Sequence, residues 1–239
     1  MSYRLAFVAA TQKEIEPLVN YLRKHAEQHS FQTFHLHGLD IDIIYSGIGI
    51  LQTTYNLMDY LSHHHPGLWL QAGIGGAFDA GLDIGNVYQV KNEMISGFGA
   101  EDKDGRIMDP FTLGWSDPNG FPFTNGVLEC PYQPFTVWTK ASGMTTFHAH
   151  GNAAHIEQLR YQPHGQIENM EGASFFYVSL IKKIPFLSLR SISNLVESRD
   201  TGKWEIDLAI TNLNDTIIEW LEHSKLHPDR LFQSADGTS

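Results

Sequence analysis

Cysteine is nearly absent from this 239-residue chain. Cys130 stands alone, which excludes an intrachain disulfide and fits a reducing compartment. Positive charge is also scarce: 16 Lys and Arg against 27 Asp and Glu leave a net charge of −11, so no generally basic surface awaits nucleic acid. A small ligand or a protein partner is favoured instead. Long apolar runs are missing too. The N-terminal run Leu5–Ala10 is too short for a signal core and far below the roughly 20 residues of a membrane span. A cytoplasmic protein with no membrane contact is expected. Internal repeats, low-complexity blocks and linkers are lacking, so residues 1–223 are read as one domain, with 224–239 (ending QSADGTS) as a loosely held tail.

What is present is an ordinary globular share of 42% hydrophobic residues, arranged in short buried runs that alternate with helical periods. Leu5–Ala10 reads as a strand, and Thr11 then offers an N-cap with Glu14 at the third helical position. Phe31–His37 and Ile41–Tyr45 flank a tight turn at Gly38-Leu39-Asp40. Ser46-Gly47-Ile48-Gly49 opens a helix through His63, with Leu51, Tyr55, Met58 and Leu61 at helical spacing. Gly67–Ala72 reads as a buried strand leading into the Gly-rich Gly73–Phe78. That stretch has no G-K-[ST] and hence no phosphate-cradling P-loop. Asn86–Lys91 is another strand. The long Gly-, Pro- and Asp-rich segment from Gly99 to Tyr132 carries Phe111, Trp115, Phe121 and Phe123, too many aromatics for a solvated linker. It is expected to fold over a site or a subunit contact. Phe135–Ala141 reads as a strand, a helix starts at Gly151 or Asn152, and the last helix runs from about Trp204 to His223.

The richest stretch is Gln166–Trp204, which reads as a short strand, a helix from about Glu171, a strand at Pro185–Ser191 and a polar loop. An apolar strand such as IPFLSLRSI has no structural need for Arg190, Ser193 and Asn194 at its C-terminal end, where α/β folds bind ligands. Glu171 lies at the positive end of its helix, where negative charge is favourable. His148 and His150 form an H-x-H with His155 further on, but no third ligand spacing follows a zinc pattern, so no metal is expected.

The order Met170-Glu171, helix, apolar strand, Arg190-x-x-Ser193-Asn194 resembles the purine-nucleoside phosphorylase and nucleosidase superfamily. The resemblance covers about Leu5 to Leu221. It implies an α/β fold, a three-layer α/β/α sandwich with a central mixed twisted sheet. It further implies that Met170 and Glu171 hold the ribose, that Ser193 and Asn194 meet the purine, and that Gly73, Gly75 and Gly76 lie against the nucleoside. Glu14, helped by Arg190, would activate the attacking water; completing a capping box is its other reading. The segment around Thr146 and Phe147 would cover the base, with the Phe147 ring stacked on it. No organic cofactor is implied, and family members are usually homodimers or larger assemblies.

Phosphorylases of this superfamily bring arginines to the phosphate. Here the corresponding places, near Gln71 and over Thr11–Pro17, supply none, which favours hydrolysis. Asn194 bears on the base. Its NH2 suits O6 or N7 of a 6-oxopurine, whereas adenine would set donor against donor at a cost of about 1–3 kcal/mol. Gly99-Ala100-Glu101-Asp102 and the Arg199-Asp200…Trp204 segment are similar to stretches of the futalosine hydrolase branch, whose nucleoside carries a benzoate that Arg199 would pair with. The alternatives are a methylthioadenosine/S-adenosylhomocysteine nucleosidase, a phosphorylase, or a catalytically silent nucleoside-binding protein.

Overall fold

A computed structural model describes residues 3–132, 138–160, 165–198 and 200–224. In chain order the elements are β1 (Tyr3–Ala9), α1 (Gln12–His25), β2 (Glu27–Gln28), β3 (Thr33–Leu36), β4 (Leu39–Tyr45), α2 (Gly49–His63) and β5 (Leu68–Ala77). Then come β6 (Val87–Ile95), β7 (Ala100–Glu101), β8 (Ile107–Met108), β9 (Phe123–Thr124), β10 (Val127–Glu129), β11 (Lys140–Thr145) and α3 (Ala153–Arg160). The chain closes with β12 (Ile167–Asn169), α4 (Gly172–Lys182), β13 (Phe186–Leu195) and α5 (Ile206–Ser224).

The result is the expected three-layer α/β/α arrangement around a mixed sheet, ordered β2-β3-β4-β1-β5-β12-β11-β6-β10-β9. Strand β13 lies off that path and pairs in parallel with β5 and antiparallel with β6. The strands β5, β12, β11, β6 and β13 therefore close a ring. Helices α1 and α5 pack on each other and on β5, while α2 packs on α4, which lies against β6 and β11. The strands are nearly continuous apolar runs because both their faces are covered, as in Leu5–Ala9 and Leu68–Leu70, all without solvent exposure.

Several boundaries differ from the sequence reading. Strand β5 does not stop at Ala72 but runs through the glycines to Ala77, so Gly73–Gly76 lie within the strand. None of the three site glycines Gly73, Gly75 and Gly76 has a positive φ; their use is close approach. The tight turn before β4 is His37-Gly38, both at positive φ (52° and 83°), as a primed hairpin turn requires. The strand expected at Phe135–Ala141 lies at Lys140–Thr145, and residues 133–137 fall outside the described ones, as does the tail beyond 224. On α2 the buried face is Thr53, Leu57 and Leu61; Leu51, Tyr55 and Met58 point to solvent. Ile181 of α4 is 42% exposed. The Gly99–Tyr132 segment folds into two short hairpins, and Phe123 packs between Phe111 and Tyr177 of α4. Among the described residues no helix is long and apolar enough to cross a membrane.

Candidate active site

At the C-terminal ends of β1, β5 and β13 lies a cavity of about 280 Å³, walled by Glu14, Gly75, Gly76, Met170, Glu171, Ser193 and Asn194 among others. Each of these was expected at a site from sequence, and several structural devices bring them together.

Glu14 comes from a deformed first turn. Its Oε2 accepts from Thr11 N (2.9 Å) and Thr11 Oγ1 (3.0 Å), so the capping role is real, while Oε1 accepts from Ile74 N (3.3 Å) at the cavity. Pro17 lies inside α1, and Ile15 leaves helical geometry. Asn214 of α5 bridges the resulting gap: its Nδ2 donates to Glu14 O (2.9 Å) and its Oδ1 accepts from Leu18 N (3.0 Å). The kink thus fixes where Glu14 points. Burial pushes its carboxyl above the usual range and Glu171 adds to this, while Arg190 and the N–H groups of Thr11 and Ile74 pull the other way.

Glu171 sits at the N-cap position of α4, and its Oε1 accepts from Gly49 N (3.0 Å), the first residue of α2. Two helix N-termini therefore converge on one carboxylate, a favourable place for negative charge. Asn169 holds the turn in place, its Oδ1 accepting from the N–H groups of Glu171 (3.1 Å) and Gly172 (2.6 Å).

Arg190 is 1% exposed and lies beneath the cavity wall, paired in register with Gly73. A Cβ on Gly73 would meet Arg190 Nη1 at 2.0 Å, which explains the glycine there. Arg190 Nη2 is 3.8 Å from Glu171 Oε2, and neither Nη2 nor Nε has a hydrogen-bond partner. The guanidinium thus acts as a buried charge shared by Glu14 and Glu171.

Asn194 follows a bulge in β13, where the register against β5 shifts between Ile192 and Asn194. Ser193 Oγ, which is also 3.2 Å from Gly75 O, donates to Asn194 Oδ1 (2.8 Å), and Asn194 Nδ2 donates to Leu195 O (2.9 Å). The carbonyl of Leu195 demands the nitrogen on its side, so the amide orientation follows from the network.

The other expected residues fare differently. Thr146 is buried with its hydroxyl on His148 O (2.9 Å), and Phe147 is 55% exposed; neither lines the cavity. The ring expected to stack on the base points outward because Thr146 occupies the inward position before it. From this segment Ala149 and His150 reach the cavity instead. Arg199 lies outside the described residues. Ile206 and Ile210 of α5 help wall the cavity along with Trp204. Among the described residues no group of three His, Cys, Asp or Glu converges to hold a metal ion.

Sequence reasoning missed the polar shell under the site. Glu93 is 1% exposed; its Oε1 accepts from Thr145 Oγ1 and Asn169 Nδ2, both at 2.8 Å, and its Oε2 is unpartnered. A Cβ at Gly143 would come within 2.0 Å of that Oε2. Burial pushes the Glu93 carboxyl up to about 7, with Glu171 adding to it against Asn169, Thr145 and Arg190. Between the unfolded value near 4.5 and about 7 the native state holds the extra proton, so this group's share of stability is complete below that window and lost as pH rises through it. Glu93→Gln is expected to remove that loss. The fall in denaturation midpoint between pH 5 and pH 8 should be smaller in the variant; an equal fall would contradict the assignment. The sequence signal was available: a Glu inside the strand VYQVKNEMI.

A futalosine hydrolase of Streptomyces coelicolor is 31% identical over 156 residues, covering 63% of each chain. A 5′-methylthioadenosine/S-adenosylhomocysteine nucleosidase of Chromohalobacter salexigens is 32% identical over 88 residues, 35% of this chain and 37% of that one. The chain thus spans less than two thirds of the length of these two curated relatives. In three dimensions, native futalosine hydrolase of Helicobacter pylori strain 26695 superposes with a TM-score of 0.74 at 16% identity, covering 93% of this chain and 99% of that one; this likeness is one of fold. The sequence profile described as the phosphorylase superfamily matches residues 4–222, and the chain belongs to that superfamily.

Proposed function

We propose that the chain hydrolyses the N-glycosidic bond of futalosine, releasing hypoxanthine and dehypoxanthine futalosine, a step in menaquinone biosynthesis. The observation that carries this reading is the pinned amide of Asn194, placed across the same cavity from Glu14 and Glu171. One Nδ2 hydrogen is spent on Leu195 O; the second is left for the O6 of a 6-oxopurine. As the C1′–N9 bond lengthens, positive charge builds on the ribose and negative charge on the base. Glu171 accepts from the ribose hydroxyls and opposes the positive charge. Glu14, held above its ordinary range by burial, takes the proton of the attacking water, and Arg190 behind Gly73 steadies both carboxylates. Among the described residues the cavity wall contains no arginine, and its one lysine, Lys13, is paired with Asp207 (3.3 Å). That lining suits water better than a phosphate dianion. In this reading Arg199 pairs with the benzoate of the substrate.

The Chromohalobacter relative favours a second reading, cleavage of methylthioadenosine or adenosylhomocysteine. One experiment separates the two. The purified protein is incubated with futalosine, inosine, methylthioadenosine and adenosylhomocysteine, and the released base is identified. Hypoxanthine from futalosine is expected to appear fastest; adenine released as fast or faster would overturn the reading, and inosine turned over as fast as futalosine would remove the benzoate contact.

The same proposal includes a homodimer or larger homo-oligomer. Ile48, Leu51 and Tyr55 are 57%, 85% and 69% exposed, and Ile48 also lines the cavity, so a second copy seated on this stripe would close the mouth. Leu51→Glu is expected to weaken self-association about 30-fold or more, a loss of ~2 kcal/mol. Sedimentation should show monomer with a raised KM; a wild-type chain that is monomeric at full activity would contradict this.

A further inference from the structure

The departing purine needs a proton, and the geometry points to His150, oriented by Glu168, as the acid that delivers it to N7. The inference rests on the nucleosidase reading above. Of the titratable groups walling the cavity, Glu14 lies on the water side, Glu171 is tied to Gly49 N and Arg190, and Lys13 is exposed and paired with Asp207. An amide such as Asn194 has no proton to give up. His150 and Glu168 remain.

Their arrangement is that of an acid with its orienting carboxylate. Glu168 is 6% exposed, and its carboxylate bonds both His150 Nδ1 and the His150 backbone N–H (3.2 Å to each oxygen). Nδ1 is thereby fixed as a donor, and among the described residues no hydrogen bond reaches Nε2. Strand register explains why this pair faces Asn194. Glu168 and Asn194 are both register partners of Gly76, from β12 on one side and β13 on the other. Residues directly opposite share a sheet face, and Gly76 between them carries no side chain. The two polar groups thus stand about 10 Å apart, two strand spacings, across a bare backbone strip on which the N7/O6 edge of a purine can rest. Asn194 reaches O6 from one side and His150 reaches N7 from the other.

The step balances. The C1′–N9 bond breaks with its electron pair going to the purine, and the Nε2 proton moves to N7. Water adds its oxygen to C1′ and passes a proton to Glu14. Neutral His150 keeps its Nδ1 proton on Glu168 and is reprotonated from solvent after the base leaves. The charged and titratable groups facing His150 from neighbouring segments are Glu168, His148 (ring centroids 4.6 Å apart), His155, Glu101 and Arg106.

The test compares His150→Asn and Glu168→Gln with wild type on two leaving groups. On futalosine or inosine both variants should lose about 100-fold in kcat. On 4-nitrophenyl riboside, whose phenolate departs without a proton, the loss should be under about 3-fold, since no acid is needed. In wild type, kcat/KM on the purine nucleoside should show a limb that falls with rising pH, as a general acid requires, and His150→Asn should lack that limb even if the nitrophenyl riboside is not accepted. An equal loss on both leaving groups with the pH limb retained means a merely structural role and overturns the proposal, as does an undiminished rate on the purine nucleoside. Failure of the nucleosidase reading would look different: wild type would release no base from any nucleoside.

Discussion

Glu14→Gln should lower kcat for nucleoside hydrolysis by roughly 10²–10⁴-fold, the range over which a positioned general base contributes. The substitution keeps the shape of the side chain, and the amide oxygen can still accept from Thr11 N and Thr11 Oγ1, which hold Oε2 in the wild type at 2.9 and 3.0 Å. What disappears is a group able to take a proton from water. Burial already penalises the charged form of Glu14, so a neutral replacement removes a destabilising term as well as the coulombic pull of Arg190. The variant should therefore melt within a few degrees of wild type while its turnover collapses. Wild-type kcat in the presence of an intact fold would remove Glu14 from the chemistry.

Glu171→Gln should cost about 10²–10³-fold in kcat, the size of losing one electrostatic contact made in the transition state. Gln retains an oxygen for Gly49 N, so the junction of α2 and α4 should survive. The charge opposing the ribose cation is lost. A second readout follows from the shared guanidinium. Glu171 pushes the Glu14 carboxyl up; without it, Arg190 acts on Glu14 alone. The acidic limb of the pH-rate profile, where Glu14 loses its proton, should move to lower pH. An unshifted limb with a reduced kcat would show that the two carboxylates do not share Arg190 in the way the 3.8 Å contact implies.

Much of this site was legible in the chain. Glu14, Glu171, Arg190, Ser193 and Asn194 each interrupt an apolar element with a polar side chain at a strand end or helix start, and such interruptions are conspicuous in a sequence. Fold class was legible for the same reason: short buried runs alternate with helical periods. The misses have physical causes. The strand Gly67–Ala72 reads as ending before the glycines at 73–76 because glycine is a poor strand former, whereas their use is to let Arg190 and the β12 backbone approach closely, a tertiary demand with no local signature. The exposed stripe Leu51, Tyr55 and Met58 has the helical spacing of a core face, and periodicity cannot tell a core from a surface awaiting a partner. The outward turn of Phe147 depends on the bonding of Thr146 to His148 O. The His150–Glu168 pair joins residues 18 apart on either side of α3, beyond the reach of any spacing rule. Asn214 is the sharpest case: an Asn in the last helix repairs a proline kink in the first, 200 residues away from Glu14.

The central claim is that water, admitted beside Glu14, attacks the sugar cation. The most direct measurement is turnover of futalosine in ¹⁸O-labelled water, with and without inorganic phosphate, followed by mass spectrometry of the sugar product. One ¹⁸O at the anomeric hydroxyl, at a rate indifferent to phosphate, is the predicted result. A sugar 1-phosphate, or turnover that requires phosphate, would contradict it.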